Sequence, residues 1–427
     1  MSKWCQQQDK TPLDWGVIQD TLAKFVASLD AGIKRILLIP PDYTRKHSGA
    51  GKITAILYKL LAGREVDVLP ALGTHEAMTE TEMLDMFEGA IPLDRFYVHN
   101  WREDTVKIGT VPSEFVREVS GGILDFPIEV MLNKKLVSGE YDLIISIGQV
   151  LPHEVVGMAN YNKNVFVGCG GVDMINKSHY LGAAYGMERL LGKDHSPVRK
   201  VYDYAQEHFL KGAPIVYVLN VNSTQINAET GLTDTYGLFI GTGRDVFEAA
   251  VALSQQKNIN IMEKALPKVV VYLDQDEFKT TWLGCKAIYR TRMAVADGGE
   301  LVIIAPGLRR FGEDMVIDGL IRKYGYAGRE NILKWTRENQ DLQDNMSAAA
   351  HLIHGSVDGR FKVTVACSQL TQAEIEGVNF NYMPLEEALA KYPISQWDPG
   401  FVQLADEEVY YISNPATGLW IAKENWI

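Results

Sequence analysis

Lys163 and two histidines that flank it have side chains that could perform chemistry on a small substrate. His153 lies ten residues before Lys163, and His179 lies sixteen residues after it. An amine is a nucleophile once it loses its proton, and an imidazole can carry a proton or bind a metal near neutral pH. An apolar run at 143–147 precedes these residues, and open α/β sheets bind ligands beyond the carboxyl ends of their strands. We therefore expect the three side chains to meet in one crevice, although most lysines and histidines in proteins have no such role.

Two polar residues follow the first apolar run of the chain in the same way. Asp42 and Arg45 come directly after the run at 35–39. A guanidinium is a planar fork that can bind a carboxylate or a phosphate with two hydrogen bonds. An Asp–Arg ion pair that shapes the turn is an equally good interpretation of this pattern.

A histidine follows the next apolar run, at 66–72. His75 stands in a Gly73-Thr74-His75 turn, where the glycine allows the backbone to reverse sharply. The ordinary pKa of an imidazole suits general acid–base catalysis, although a single histidine is more often structural. His99 ends another run at 95–99 without a glycine turn, so we rank it below His75.

Glycines at 168, 170 and 171 form a loop after Lys163. Backbone amides in such a loop can approach a phosphate, so Gly170 and Gly171 are candidate contacts to a nucleotide. The spacing matches no standard dinucleotide or P-loop pattern.

The second half of the chain contributes one further lysine and two histidines to the candidates. Lys286 precedes a Gly298-Gly299 pair by twelve residues and could reach the crevice from a helix, or simply face solvent. His351 and His354 stand near an expected helix end, where capping and substrate contact are both open.

Short apolar runs alternate with amphipathic segments along the whole chain. The expected strands are 35–39, 66–72, 95–99, 141–147, 214–221, 268–273, 301–305 and 361–366, and the amphipathic segments include 15–29, 51–61, 198–209 and 244–256. This alternation predicts an α/β protein with parallel-rich sheets covered by helices. A polar stretch before Pro267 predicts two domains, residues 1–265 and residues 266–427. The aromatic segment from about Trp397 could pack back on the first domain.

The bulk composition narrows the classes of partner. The 427 residues carry a formal net charge of -12, which argues against nucleic acid as a partner but not against a small anion. The four cysteines form no CxxC pair, which indicates reduced thiols and a cytoplasmic protein. The amino terminus lacks the pattern of a signal peptide, and no apolar stretch is long enough to predict a membrane span.

Taken together, these motifs resemble the nickel-dependent lactate racemase family. The family has an Asp-x-Thr-Arg turn, as at residues 42–45, and a Gly-Thr-His turn, as at 73–75. It also has a Pro-His pair with a lysine ten residues later and a second histidine twenty-six residues later, as at Pro152-His153, Lys163 and His179. A lysine twelve residues before a Gly-Gly pair completes the match at Lys286.

The resemblance implies an active site in the crevice between the two α/β domains, with the cofactor tether and the catalytic histidines in residues 1–265 and substrate contacts in residues 266–427. It also implies a cofactor and a role for each matching residue. The cofactor is a nickel-pincer nucleotide, a pyridinium mononucleotide joined to the lysine through a thioamide. Lys163 would carry it, Asp42 would orient groups beside it, and His179 would bind the nickel. His75 and His153 would be paired acids and bases on opposite faces of the substrate. Arg45 and Lys286 would hold the substrate carboxylate.

The activity that the resemblance implies is inversion at C2 of a 2-hydroxy acid by transient hydride transfer. Because Leu283 replaces a glutamine of the family, and because His351, His354 and Ser356 make the second domain polar, we expect a sugar acid such as gluconate or mannonate rather than lactate. The implied partners are this small molecule and the enzymes that make the cofactor. The residues leave two alternatives open: a lyase that uses Lys163 as a Schiff base, and a non-catalytic protein that binds a sugar acid or a nucleotide.

Overall fold

The chain forms two compact units in the computed structural model, which describes residues 3–227, 229–416 and 418–426. The first unit comprises Met1–Ser178 and Gly192–Asn258, and the second comprises His179–Leu191 and Ile259–Ile427. Both units are mixed α/β structures with parallel-rich sheets, as the alternation of apolar runs and amphipathic segments predicts.

The core of the first unit is a six-stranded sheet. In spatial order, its strands are Trp4–Gln7, Thr233–Gly241, Ile215–Ile226, Leu143–Gln149, Arg35–Ile39 and Glu65–Val68. The last four of these strands run parallel, and the first two are antiparallel to their neighbours. The strand Leu143–Gln149 is buried along its whole length because the sheet is covered on both faces, which explains why it reads as an apolar run.

The order of these strands creates a switch point at the middle of the sheet. From Arg35–Ile39 the chain passes to Glu65–Val68 on one side and later to Leu143–Gln149 on the other. The connections that leave Arg35–Ile39 and Leu143–Gln149 therefore diverge at their carboxyl ends, where open α/β sheets form a binding crevice. Asp42 and Arg45 follow the first of these strands, and Lys163 lies beyond the second.

Helices and short hairpins complete the first unit. Its helices are Trp15–Ala27, Ala50–Leu60, Glu80–Met86, Ser113–Val119, Lys134–Val137, Pro197–Phe209 and Arg244–Asn258, with 3₁₀ turns at Tyr43–Ser48 and Leu93–Arg95 and a π-helical turn at Asn164–Gly168. The helix Val172–Tyr185 begins in the first unit, and its residues from His179 onward cluster with the second. The antiparallel hairpins are Thr105–Val111 with Ile128–Asn133, and Pro152–His153 with Gly157–Met158.

The second unit has its own six-stranded sheet. In spatial order, the strands are Asn381–Pro384, Lys362–Cys367, Val295–Ile304, Leu266–Tyr272, Glu408–Ile412 and Gly400–Gln403, all parallel to their neighbours except the last. Its helices are Met187–Leu190, Thr281–Gly284, Lys286–Thr291, Met315–Tyr324, Arg329–Glu338, Gln340–Gln343, Met346–Gly355, Gln372–Gly377 and Leu385–Lys391, with 3₁₀ turns at Ile394–Gln396 and Lys423–Asn425. Within the described ranges, no helix is long and apolar enough to cross a membrane.

The division of the chain differs from the expected boundary between residues 265 and 266. The strand Ile259–Met262 belongs to the second unit because it pairs in parallel with Leu419–Ala422. Residues 179–191 join the same unit, where Arg329 Nε donates to the carbonyl of Ala184 at 3.0 Å. The closing aromatic segment likewise forms strands that pair within the second unit.

One expected strand does not form. Residues 95–99 begin at the last residue of the 3₁₀ turn Leu93–Arg95, and an isolated bridge joins Phe96 to Val68 in place of a strand. Arg95 is drawn toward the buried carboxylate of Asp67, 3.6 Å away, and His99 turns into the interior instead of extending the sheet.

Candidate functional site

The turn after Arg35–Ile39 is organised by a buried carboxylate. Asp42 caps the turn Tyr43–Ser48 by accepting a hydrogen bond from the backbone N–H of Thr44 at 2.8 Å. The Thr44 hydroxyl also donates to Asp42 and accepts from Arg45 Nη1 at 2.8 Å. The short polar residues at 42 and 44 thus fix the turn locally and aim the Arg45 guanidinium.

His75 joins this turn through its ring. Its Nδ1 lies 2.9 Å from the second carboxylate oxygen of Asp42, while 45% of its side chain stays exposed. Burial by itself would raise the Asp42 pKa, but the hydrogen bond and charge of His75, the charge of Arg45 and the Thr44 hydroxyl together hold that pKa below its usual range. An ionised Asp42 accepts the Nδ1 proton, which leaves a lone pair on Nε2 of neutral His75 to accept a proton from a substrate.

Lys163 is placed at the switch point by the residue that follows it. Asn164 Nδ2 donates to the carbonyl of Ile39 at 3.2 Å and to the hydroxyl of Ser146 at 3.0 Å, and so bridges the two central strands. Lys163 precedes the π-helical turn Asn164–Gly168, a type of turn that is frequent at functional sites.

The far end of this π-helical turn connects Lys163 to the His75 loop. The carbonyl of Gly168 accepts a hydrogen bond from Gly73 N–H at 2.9 Å. A Cβ at Gly168 would lie 2.6 Å from the Cβ of Ala71, so this contact requires a glycine. The Asp42, His75 and Lys163 segments therefore lie around the carboxyl ends of neighbouring strands, as the strand-end argument predicts.

The loop before Lys163 has an unusual backbone. Asn160 and Tyr161 are consecutive non-glycine residues in the left-handed region, with φ of 64° and 58°. This conformation costs on the order of 1 kcal/mol per residue, less for asparagine. Gly148 permits it, because a Cβ there would lie 2.1 Å from Asn160 Nδ2. Strain of this kind persists only where the surroundings fix the backbone.

The amine of Lys163 is held in an environment that favours its neutral form. Burial, together with the positive charges of Arg45 and Arg199, lowers its pKa to about 8 against the opposing charges of Glu154 and Asp42. Within the described ranges, no side chain or carbonyl forms a hydrogen bond or ion pair with the Lys163 amine. Part of the side chain remains accessible. A lowered pKa increases the unprotonated fraction of the amine near neutral pH, and the unprotonated form is the nucleophile.

His153 differs from His75 in how its ring is used. Its Nδ1 accepts a hydrogen bond from the backbone N–H of Val155 at 3.1 Å. The neutral ring therefore carries its proton on Nε2 and is oriented to donate a hydrogen bond, whereas His75 is oriented to accept a proton.

The glycine loop offers no free amides to a phosphate. Gly170 N–H donates to Val167 O at 3.3 Å, and Gly171 N–H donates to Met131 O at 3.0 Å. A Cβ at Gly170 would lie 1.8 Å from the carbonyl oxygen of Phe166, so close packing explains this glycine. These hydrogen bonds give no support to the prediction that the N–H groups of Gly170 and Gly171 bind the cofactor. His99 supports the loop, because its Nε2 lies 3.0 Å from the carbonyl oxygen of Gly170. Burial lowers the pKa of the His99 imidazole.

Two of the expected site residues lie in the second unit. His179 is its first residue, on the helix Val172–Tyr185. Lys286 begins the helix Lys286–Thr291, with its ammonium 5.6 Å from the ring centroid of Phe278. Both side chains are partly accessible, as is Leu283 in the preceding helical turn.

His351 and His354 are core residues of the second unit. The His351 ring lies between the hydroxyls of Tyr289 and Tyr326, at 2.8 and 2.9 Å, and burial lowers its pKa to about 3. Ser356 is also used internally, because its hydroxyl donates to the carbonyl of Leu352 at 2.7 Å. These residues therefore give no support to a polar substrate pocket, contrary to the expectation from their positions in the sequence.

Sequence reasoning missed the residues that hold Lys163 in place. Asn162 and Asn164 on either side of it, and Arg199 on a later helix, make the hydrogen bonds that fix this segment. The flanking asparagines indicated a hydrogen-bonded loop, but Arg199 had no local signal because its contacts lie about forty residues earlier in the chain.

The fold and the site define an α/β protein with a reactive amine and an imidazole at a sheet switch point, and comparisons with known proteins identify its relatives. Residues 17–188 match the lactate racemase N-terminal domain. The lactate racemase of Thermoanaerobacterium thermosaccharolyticum is 26% identical over 339 residues, which cover 76% of this chain and 68% of that protein.

Solved structures show the same fold. A crystal structure of a Thermotoga maritima protein matches with a TM-score of 0.82 and 24% identity, over 98% of this chain and all of that one (100%). The structure of the lactate racemase apoprotein from T. thermosaccharolyticum matches with a TM-score of 0.68 and 18% identity, over 96% of this chain and 90% of that one. Residues 17–188 thus match a lactate racemase domain, and together with the similarity to a curated lactate racemase this supports the resemblance found in the motifs.

Proposed function

We propose that this protein is an isomerase, a racemase or epimerase that inverts C2 of a 2-hydroxy acid. The similarity to the lactate racemase N-terminal domain and to a curated lactate racemase supports this class of reaction. The observation that carries the proposal is the Lys163 amine, which has a pKa of about 8 and no hydrogen-bond partner within the described ranges. An amine with a lowered pKa and no ion-pair partner suits a covalent attachment better than it suits a structural ion pair.

The residues of the first unit fit a nickel-pincer nucleotide attached at Lys163. A thioamide forms from a neutral amine, and Lys163 is half neutral near pH 8. When bound, such a cofactor supplies a ring that takes hydride from C2 and returns it. His179 is the proposed nickel ligand.

Elsewhere, the described side chains that could hold an ion together are Asp194, His195 and Glu248. That group is occupied by Arg244, which donates to Asp194 at 2.5 Å and to Glu248 at 3.1 Å. His179 is not part of it, so a nickel ion at His179 would take its other ligands from the cofactor, whose sulfur donors suit this metal.

The protein's own residues would bind the substrate and move its proton. We assign to Arg45 the pairing with the substrate carboxylate, since Thr44 engages its Nη1, and we assign the same role to Lys286. His75 Nε2 would accept the hydroxyl proton, and the resulting imidazolium is stabilised by the Asp42 carboxylate. His153 would act on the opposite face, with its Nδ1 held by the Val155 N–H. The two imidazoles are thus an unequal pair.

We further propose a sugar acid, such as gluconate or mannonate, as the substrate. The support is Leu283, which replaces a glutamine of the family close to Lys286. The internal hydrogen bonds of His351 and Ser356 remove the other argument for a sugar acid, so lactate belongs in every assay beside the aldonates.

The proposal is tested by expressing the protein with nickel and the cofactor-making enzymes. We expect an increase in intact mass that Lys163→Ala abolishes, together with bound nickel. Loaded protein should invert at least one acid in a panel of lactate, gluconate and mannonate, followed by chiral chromatography. Fully loaded protein that inverts no 2-hydroxy acid would show the proposal to be wrong. Borohydride trapping of a substrate on Lys163 without cofactor would instead support the Schiff-base lyase.

A further inference from the structure

A buried arginine contacts the segment that leads to Lys163 at every second residue. We call residues 156–163 the lysine loop. Arg199 Nη2 donates to the carbonyls of Met158, at 2.6 Å, and Asn160, at 3.2 Å, and Nη1 donates to the side-chain oxygen of Asn162. The pattern continues to residue 156, whose carbonyl accepts from the Ser196 hydroxyl at 2.8 Å. One helix end thus binds four alternate residues of the loop.

Arg199 is fixed as firmly as the loop it contacts. It is fully buried at 0% exposure, and its guanidinium lies 4.5 Å from the ring centroid of Phe247. Its backbone N–H donates to the Ser196 hydroxyl at 2.9 Å, which caps the helix Pro197–Phe209. Burying a guanidinium is costly unless it is paired and hydrogen-bonded. The charge of Asp203 supplies the pairing.

Asn162 connects this arginine to its counter-ion. Its Nδ2 donates to Asp203 at 2.7 Å while its Oδ1 accepts from Arg199, so both ends of the amide are used. Asp203 is held in turn by Arg244 Nη1 at 2.6 Å. The residue immediately before Lys163 therefore has one defined orientation, and the left-handed residues Asn160 and Tyr161 lie within the same set of contacts.

We propose that Arg199, acting through Asn162 and the carbonyls of Met158 and Asn160, is the positioning residue for the Lys163 amine. It holds the strained backbone that leads to Lys163, while Asn164 fixes the other side at the central strands. The inference deepens the proposed function, since it concerns the same lysine, but it can be tested on protein without cofactor. Four charged groups, Arg45, Asp42, Glu154 and Arg199, act on the amine, and Arg199 also binds the loop that carries it.

The test measures how fast Lys163 reacts with trinitrobenzenesulfonate at pH 7 to 11, read by peptide mass spectrometry. In the unmodified protein, Lys163 should react as an amine with a pKa of about 8. In Arg199→Lys the loop loses its fork of hydrogen bonds, and we expect the amine to become solvated. As its pKa moves toward the ordinary value of about 10.4, the reactive fraction at pH 8 should fall at least about tenfold. Asn162→Ala should shift the profile in the same direction by less.

The matched control is Arg292→Lys. Arg292 is another buried arginine that donates to two carbonyls, those of His354 and Ser356, but it lies in the second unit. The Arg292→Lys variant should leave the pH dependence of Lys163 reactivity unchanged. Arg199→Lys that is folded by circular dichroism and keeps the original profile would overturn the proposal. If Arg199→Lys does not fold, an unchanged profile in folded Asn162→Ala overturns it instead. Neither result bears on whether loaded protein inverts a hydroxy acid, so the two proposals fail separately.

Discussion

Replacing Lys163 by methionine is expected to stabilise the folded protein at pH 7. Lowering a lysine pKa from 10.5 to about 8 means that the protonated amine costs the folded state about 3 kcal/mol, since each pH unit is worth about 1.4 kcal/mol. Methionine has a similar length and no charge, so it avoids this cost. The penalty arises because burial and the charge of Arg45 oppose an ammonium at this place.

The sign of the effect with pH follows from proton binding. Between about pH 8 and 10.5 the unfolded chain holds a proton on Lys163 that the folded protein has lost, so the stability of the unmodified protein rises with pH in this interval. The advantage of Lys163→Met should therefore be complete below pH 8 and vanish by about pH 10.5.

The assay is urea denaturation of cofactor-free protein at pH 7, 8, 9 and 10, with thermal melting as a second measurement. A gain of about 3 kcal/mol corresponds to about 5–10 °C for a unit of this size. Lys200→Met, at an exposed lysine, is the control and should change stability by less than about 0.5 kcal/mol. A Lys163→Met protein that is less stable at pH 7, or whose advantage does not depend on pH, would refute the reasoning.

Three further substitutions test other parts of the structure. Asp42→Asn should lower the free energy of unfolding by about 1–3 kcal/mol at pH 7, because Asp42 loses hydrogen bonds. Since the folded-state pKa of Asp42 is lowered, the difference in urea stability should shrink as the pH falls below about 4. An undiminished difference in acid would contradict this. Gly148→Ala should destabilise by about 1–3 kcal/mol, since its Cβ would meet Asn160 Nδ2 at 2.1 Å, whereas Gly319→Ala, with nothing within 4 Å, should be neutral or stabilising in the same melts. His351 has a folded-state pKa of about 3, so the protein should lose stability as the pH falls below about 6.5. His351→Gln should remove this pH dependence and leave the preference among hydroxy acids unchanged. A changed preference would place His351 in the substrate pocket.

The motifs of the sequence indicated the resemblance to lactate racemases and the polar residues that follow the strands. The Asp42 turn and the His75 turn are local, because each is fixed by hydrogen bonds and glycines within a few residues, and local patterns of this kind can be recognised in a sequence. The strand Arg35–Ile39 was also predicted with its bounds, because a fully covered parallel strand is a continuous apolar run.

Packing decided the cases in which a residue type had two uses. Gly170 follows Lys163 in a glycine-rich stretch that suggests phosphate binding, but its N–H is bonded to Val167 and its Cα is crowded by Phe166. His351 stands near a helix end, where contact with a substrate is possible, but two tyrosines enclose it. A sequence does not show which hydrogen-bonding groups are already satisfied, because their partners are distant in the chain.

The sequence by itself determined that Lys163 follows a central strand and stands between two asparagines. Only the tertiary structure decided that the pKa of this lysine is lowered to about 8, because burial and the charges of Arg45 and Arg199 set it, and these groups come from separate parts of the chain. It also decided the place of the amine, since Arg199 and the ends of two strands hold the residues on either side. Residue types fix what chemistry is available, whereas desolvation and long-range hydrogen bonds decide which side chain can perform it.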